Sequence, residues 1–328
     1  MGWDVIGHDW LVDTLRRDRA QDRVRHAYLF TGPAGIGKRT LAAEFARALL
    51  CPNADPPCGQ CRHCQLAAKG NHPDILTVAP VKAARQSLIR VDAVRALNYD
   101  VTLKPVEAGR RVVQLLNFHA ANAQAMNAFL KTLEEPPGRV VILITAEGAD
   151  DLLPTIVSRC QVFNLRPLPL ATVREALITR WLAPREKADL LAHLAQGRLG
   201  WAVRMLNDEA ALEARTQRLD DLARLASGTR VDRFAYAERL AKEGVDRIRP
   251  TLDLWVGYWR DVLLASAGTE AALANPDRET EIRRLAGAMG PAQAHAVVAG
   301  LRRTGELLGK NVNARLALEV CLMGWPKV

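Results

Sequence analysis

Gly32-Pro33-Ala34-Gly35-Ile36-Gly37-Lys38-Arg39 decides how this chain is read. Residues 32–38 fit the first seven positions of the phosphate-loop pattern G-x-x-x-x-G-K-[ST]. In such a loop the glycines let backbone N–H groups converge on an anion at a helix N-terminus, and the lysine adds a positive charge. The eighth position should carry a hydroxyl for Mg²⁺, and here it is Arg39. Thr40 comes one residue later, about 100° further round a helix, and cannot simply take that place. The plain alternative is a glycine-rich turn with no ligand. Working outward, Ala27-Tyr28-Leu29-Phe30 reads as a strand ending at the loop, and 40–50 as the helix it opens. Nucleotide or phosphate binding is therefore expected, while hydrolysis is a separate question.

Further strands are expected at 75–78, 112–116, 140–145 and 161–165. Met126, Phe129, Leu130 and Leu133 fall at i, i+3, i+4 and i+7, one helix face, which Pro136-Pro137-Gly138 stops. Strands alternating with helices predict an α/β domain whose parallel sheet is covered on both faces. A catalytic carboxylate should follow strand 112–116. The chain there reads Leu115-Leu116-Asn117-Phe118-His119, with no Asp or Glu. A chain with the cradle but neither metal ligand is expected not to hydrolyse ATP by itself.

Arg166-Pro167-Leu168-Pro169 breaks any regular element and marks a boundary. Beyond it the pattern is helical, with breaks expected near residues 197–200, Ser227-Gly228 and Gly290-Pro291. A small helical domain to about residue 207 and a larger all-helical domain after it are predicted. The 328 residues suit two or three domains of about 150 residues each. No apolar run approaches the ~20 residues of a membrane span. Met1-Gly2-Trp3-Asp4 does not start a signal peptide, so a cytoplasmic location is expected. The net charge of +9 fits either a polyanionic partner such as DNA or a mildly basic surface. Aromatic residues are 5 % of the chain and do not interleave with basic ones, so a stacking platform for single strands is not supported.

Cys51, Cys58, Cys61 and Cys64 are spaced x₆, x₂, x₂, with Pro56-Pro57 and Gly59 supplying turns. Thiolates at x₂ spacing can converge on one ion. Four of them suit tetrahedral Zn²⁺ and leave no open position, so the site reads as structural zinc. Disulfides and an iron–sulfur cluster are the alternatives; a cytosolic setting disfavours the first and the spacing the second. His63 and His72 are surplus and read as surface residues. Cys160 and Cys321 read as core residues. Ser158-Arg159-Cys160 precedes the last strand. Arg159 can be an ordinary salt-bridge partner, or it can reach a neighbouring subunit's γ-phosphate.

Several segments together carry a resemblance. They are His26-Ala27-Tyr28-Leu29-Phe30-Thr31-Gly32-Pro33, the four-cysteine insert, Asn127-Ala128-Phe129-Leu130-Lys131-Thr132-Leu133-Glu134-Glu135-Pro136-Pro137, Ser158-Arg159-Cys160, and Asn311-Val312-Asn313-Ala314-Arg315-Leu316-Ala317-Leu318-Glu319. In this order they resemble bacterial clamp-loader subunits of the AAA+ group, of the DNA polymerase III delta-prime type. The likeness spans nearly the full length.

The resemblance implies an AAA+ nucleotide-binding-like domain over 1–166 with a zinc module at 51–64, a helical lid over 167–207, and a helical collar over 208–328. The collar would join a hetero-oligomeric ring of clamp-loader subunits that loads a sliding clamp on primed DNA. It also implies that Arg159 is an arginine finger acting in trans, and that Arg204 is the second sensor of the lid. Gly32, Gly35, Gly37, Lys38, Arg39, Thr40 and Arg204 would then be the cofactor-contacting set, for ATP or phosphate. Gamma and tau subunits share most of these motifs but carry an Asp-Glu pair after the corresponding strand. An ATP-hydrolysing gamma/tau-type motor is thus the alternative, and a zinc-bearing DNA-binding protein a third reading.

Overall fold

The structure, a computed structural model, describes residues 2–83, 86–310 and 312–326; Asn311 of the resemblance lies outside them. It divides into two compact units. The first comprises residues up to Thr172 together with Arg198–Trp201, and the second Val173–Gly197 with the chain from Ala202 onward.

In the first unit the strands are β1 Ala27–Thr31, β2 Ile75–Val78, β3 Val81–Ala83, β4 Gln86–Leu88, β5 Arg111–Leu115, β6 Val140–Thr145 and β7 Gln161–Asn164. Five form one parallel sheet in the order β2-β5-β6-β1-β7, while β3 and β4 pair as a small antiparallel hairpin. The helices are α1 Asp9–Ala20, α2 Lys38–Leu50, α3 Arg62–Ala68, α4 Val91–Thr102, α5 Ala123–Glu134 and the short α6 Pro154–Val157. Every residue of β1, β5 and β6 is buried. Their side chains alternate between two cores, as the two-residue period of a strand requires. Ala27, Leu29, Val113, Leu115, Ile142 and Ile144 pack beneath α4 and α5. Tyr28, Phe30, Val112, Val141 and Leu143 pack beneath α1 and α2. The expected α/β sheet covered on both faces is therefore present.

Beyond β7 the chain is helical: α7 Leu170–Trp181, α8 Arg185–Ala195, α9 Leu199–Leu206, α10 Glu209–Ser227, α11 Arg230–Lys242, α12 Val245–Ser266, α13 Glu279–Ala288, α14 Pro291–Leu308 and α15 Ala314–Met323. The expected break at 197–200 is shorter than read, because Leu199 and Gly200 already belong to α9. In the second unit Trp255, Trp259 and Trp325 meet edge to face, with centroids 5.3 and 5.4 Å apart. Beside them Arg233 is buried and makes no ion pair among the described residues. It donates instead to the carbonyls of Leu225, Ala226, Leu322, Trp325 and Pro326. One cation thus serves the C-terminal ends of α10 and α15, where backbone acceptors lack helical partners. Among the described residues no helix is long and apolar enough to cross a membrane.

Candidate functional site

The loop after β1 is shaped by its glycines. Gly32, Gly35 and Gly37 sit at φ +141°, +81° and +112°. A Cβ on Gly32 would come within 2.6 Å of the Leu165 carbonyl oxygen, so only glycine fits there. Gly37 is the left-handed cap that starts α2 at Lys38, two residues earlier than the expected helix at 40–50. Arg39 and Thr40 therefore lie in the first turn, both exposed. Lys38 is 6 % exposed and its ammonium folds back onto the loop, donating to the carbonyls of Gly32 and Pro33. Burial lowers its pKa, against an opposing pull from Glu147. His8 places Nε2 3.3 Å from the Ile36 carbonyl oxygen. The Gly200 N–H donates to the Gly35 carbonyl at 2.8 Å, so the start of α9 is bonded to the loop. A Cβ on Gly200 would sit 2.9 Å from that oxygen.

At the end of β5, Leu116 is buried and Asn117 adopts a left-handed conformation (φ 50°). The Asn117 N–H donates to Thr145 Oγ1 at 2.7 Å. Gln114 joins this strand to Ala42 of α2 and Thr77 of β2. These polar groups serve internal bonds, and no carboxylate follows the strand. The carboxylate nearest in effect to Lys38 is Glu147, just beyond β6, whose backbone carbonyl also receives the Gly32 N–H. Sequence reasoning missed it; its signal is that β6 neighbours β1 in the sheet order.

The four cysteines come together. Their sulfurs all lie within 4.8 Å of one another, with Cys58–Cys64 at 4.0 Å and Cys51–Cys61 at 3.9 Å. Disulfide sulfurs would be about 2.05 Å apart. A tetrahedral ion with bonds of ~2.3 Å needs sulfurs ~3.8 Å apart, so the donor set fits a metal. The N–H groups of Cys61 and Cys64 point at Cys58 Sγ and Cys61 Sγ, at 3.3 and 3.4 Å. The backbone N–H groups of Cys61 and Gln60 bring the Cys58 thiol down to about 6, while burial pushes Cys64 up to about 12.

Neither nearby histidine joins the cluster. His72 is not a surface residue, as the sequence reading had it: it is 3 % exposed. Its Nδ1 accepts from the Asp74 N–H at 3.0 Å, which leaves the Nε2 proton to face His63 Nδ1 at 2.9 Å. Burial, then the neighbouring His63, lowers its pKa. Asp74 in turn accepts from the N–H groups of Val106, Glu107 and Ala108, and Arg62 of α3 forks onto Glu107 at 2.8 and 3.0 Å. The cysteine insert is thereby tied to the sheet edge. Of the remaining cysteines, Cys160 packs against the sheet core and Cys321 is buried; burial raises both, Cys160 to about 12.

Arg159 lies in the turn before β7, half-exposed. It pairs with Glu134 Oε1 at 2.6 Å and donates to the Thr155 carbonyl at 2.8 Å. Arg204 is exposed on α9.

Against known proteins, the family described as DNA polymerase III, delta subunit matches residues 7–169, and the C-terminal region of that subunit matches 209–327. DNA polymerase III subunit delta′ of Pseudomonas aeruginosa is 37 % identical over 311 residues, covering 92 % of this chain and 91 % of that one. The chain belongs to the DNA polymerase III delta-prime family. The delta-prime subunit of Bacillus subtilis is 31 % identical over 198 residues, covering 60 % of this chain and 58 % of that one. The tau/gamma subunit of Haemophilus influenzae is 34 % identical over 201 residues, or 59 % of this chain and 28 % of its own. Among solved structures, a gamma subunit-related protein of Thermotoga maritima aligns over 95 % of this chain and 97 % of its own, with a TM-score of 0.46 at 18 % identity.

Proposed function

We propose that this chain is a non-hydrolysing, delta-prime-type subunit of a DNA polymerase III clamp loader. It would help load the sliding clamp on primed DNA and supply Arg159 to the ATP site of a neighbouring subunit. The observation that carries this reading is the end of β5. Mg²⁺ and an attacking water both need a carboxylate there. Leu116 and Asn117 supply none, and Arg39 replaces the metal-binding hydroxyl. Gly32, Gly35, Gly37, Lys38, Arg39 and Thr40 retain the form of a phosphate cradle, with Arg204 as the sensor of a lid over 167–207. Any ATP or phosphate held there would be bound rather than cleaved. Cys51, Cys58, Cys61 and Cys64 hold structural Zn²⁺ in this reading. The helical region from 208 onward is the collar that joins the other subunits in the ring.

The competing reading, an ATP-hydrolysing gamma/tau-type motor, draws on the tau/gamma similarity and on Lys38. ATP turnover by the purified chain, alone and mixed with its partner subunits, separates the two. The expected result is no turnover alone and DNA-stimulated turnover in the complex. Steady turnover by the lone chain that vanishes on Lys38→Ala would establish the motor instead.

A further inference from the structure

The end of the sheet opposite the glycine-rich loop carries charge with no described use. Adjacent strands β5, β6 and β1 begin there, and arginines stand just ahead of each: Arg110, Arg139 and Arg25. The register aligns Arg111 with Val140, and Ala27 with Ile142. Arg25, two residues before Ala27, is therefore level with Val140, and Arg110 is level with Arg139. Arg25 and Arg139 are exposed and Arg110 is half-buried, while Arg23 adds a further exposed charge in the turn before β1. None of the four makes an ion pair among the described residues. Asp18 and Asp22, the carboxylates of α1 and its turn closest in sequence to β1, make none either.

The contrast with Arg111 is informative. It stands at the same edge but is buried, bonded to the Asp100 and Lys104 carbonyls and lying 3.8 Å from Asp74. Its neighbours have no such structural task. They also converge in space: burial raises the Tyr28 phenol, the Arg25 N–H pulls it down, the Asp18 carboxylate raises it, and the charges of Arg25 and Arg110 both pull it down. Positive charge is in excess there and none of it is tied up in an ion pair, so the arrangement favours an anionic ligand.

We propose that Arg25, Arg110 and Arg139, extended by Arg23, form a binding site for the phosphate backbone of duplex DNA. Guanidinium forks match phosphate oxygens. Neighbouring strands lie about 4.8 Å apart, so the three arginines span about 10 Å. Along one DNA strand that is about three phosphates at ~3.4 Å of axis each. The Tyr28 ring is fully buried and is not offered to a base, and the exposed ring among the arginines is the small imidazole of His26. The site goes beyond the subunit role proposed above and does not depend on it.

The test is fluorescence anisotropy with the purified full chain and a labelled blunt duplex of random sequence, titrated at several salt concentrations. Three phosphate contacts should give a log–log slope near −2.7, or about 40-fold weaker binding between ~50 and ~200 mM salt. The triple variant Arg25→Ala, Arg110→Ala, Arg139→Ala should keep its unfolding midpoint and lose most of that affinity and slope. A matched triple in the helical unit, Arg283→Ala, Arg302→Ala, Arg303→Ala, should keep both. The inference is overturned by wild-type affinity in the first triple, by no binding at low salt, or by tighter binding of an equally long single strand or a poly-glutamate peptide.

Discussion

Replacing Arg159 with alanine separates a structural role from a role across a subunit boundary. Within the chain the side chain meets Glu134 at 2.6 Å, with the two groups 35 % and 46 % exposed. Exposed pairs of this kind contribute about 0–1 kcal/mol once solvent screening is counted. For units of this size 1 kcal/mol corresponds to a midpoint change of about 2–4 °C, so Arg159→Ala should shift unfolding by no more than that. The proposed role in trans predicts a far larger effect. An arginine placed where the γ-phosphoryl transition state gains negative charge is worth roughly 10³–10⁵ in rate at the site it serves. One impaired site among several would show a smaller overall loss, so the complex should assemble normally while DNA-stimulated ATP turnover and clamp loading slow markedly. Arg159→Lys should rescue little, because a point charge does not reproduce a planar fork. Glu134→Gln keeps the shape of the ion-pair partner and should slow turnover by less than tenfold, as the loss of ~1 kcal/mol of orientation implies. The assay is a reconstituted complex carrying each variant, scored for assembly by gel filtration and for ATP turnover. Normal turnover with Arg159→Ala in an assembled complex would refute the reasoning and leave the residue as Glu134's partner.

Three further outcomes are expected. Metal analysis should find one Zn²⁺ per chain, and Cys64→Ser should cut it to well under half an equivalent and lower the unfolding midpoint, since structural zinc in small peptides contributes ~10–16 kcal/mol. Burial pushes the Asp74 carboxyl up, but the N–H groups of Val106, Ala108 and Glu107 and the charge of His72 bring it below the ordinary carboxylate value. Its contribution is thus complete above the ordinary carboxylate value and lost as pH falls through the depressed one, so Asp74→Asn should destabilise the protein at pH 7 and flatten its acid-unfolding limb, as read by circular dichroism. Arg233→Met should cost about 3–5 kcal/mol in urea unfolding, because it leaves five carbonyl acceptors without their shared donor.

The parts legible in the sequence are those governed by local pattern. Val140–Thr145 is six apolar or β-branched residues and forms a fully buried strand. Met126, Phe129 and Leu133, spaced for one helix face, are buried on α5. The x₂ spacing of Cys58, Cys61 and Cys64 brings their sulfurs together with that of Cys51. What the pattern could not reveal depends on partners distant in sequence. Helix α1 is dominated by charge and buries only Leu11, Val12 and Leu15, so its face is faint until the sheet is there to receive it. His72 looked superficial because its partners, Asp74 and His63, matter through side-chain and backbone geometry rather than spacing. The effect of Glu147 on Lys38 follows from strand order, and the attachment of Gly200 to Gly35 spans 165 residues of chain. The hairpin of β3 and β4 had no sequence signal that was read.

Arg233 also sets an order of events during synthesis. Two of its acceptors, on Leu225 and Ala226, precede it by eight and seven residues and are in place as soon as α10 and α11 meet. The other three, on Leu322, Trp325 and Pro326, arrive 89 to 93 residues later. Until then a guanidinium destined for the interior has too few acceptors to leave water, and the tryptophan cluster lacks Trp325. Closure of the helical unit is therefore expected to be late, waiting for the end of α15 and the residues just after it. A nascent chain halted before residue 322 should expose α11 to proteases and chaperones even though most of its helices have already been made.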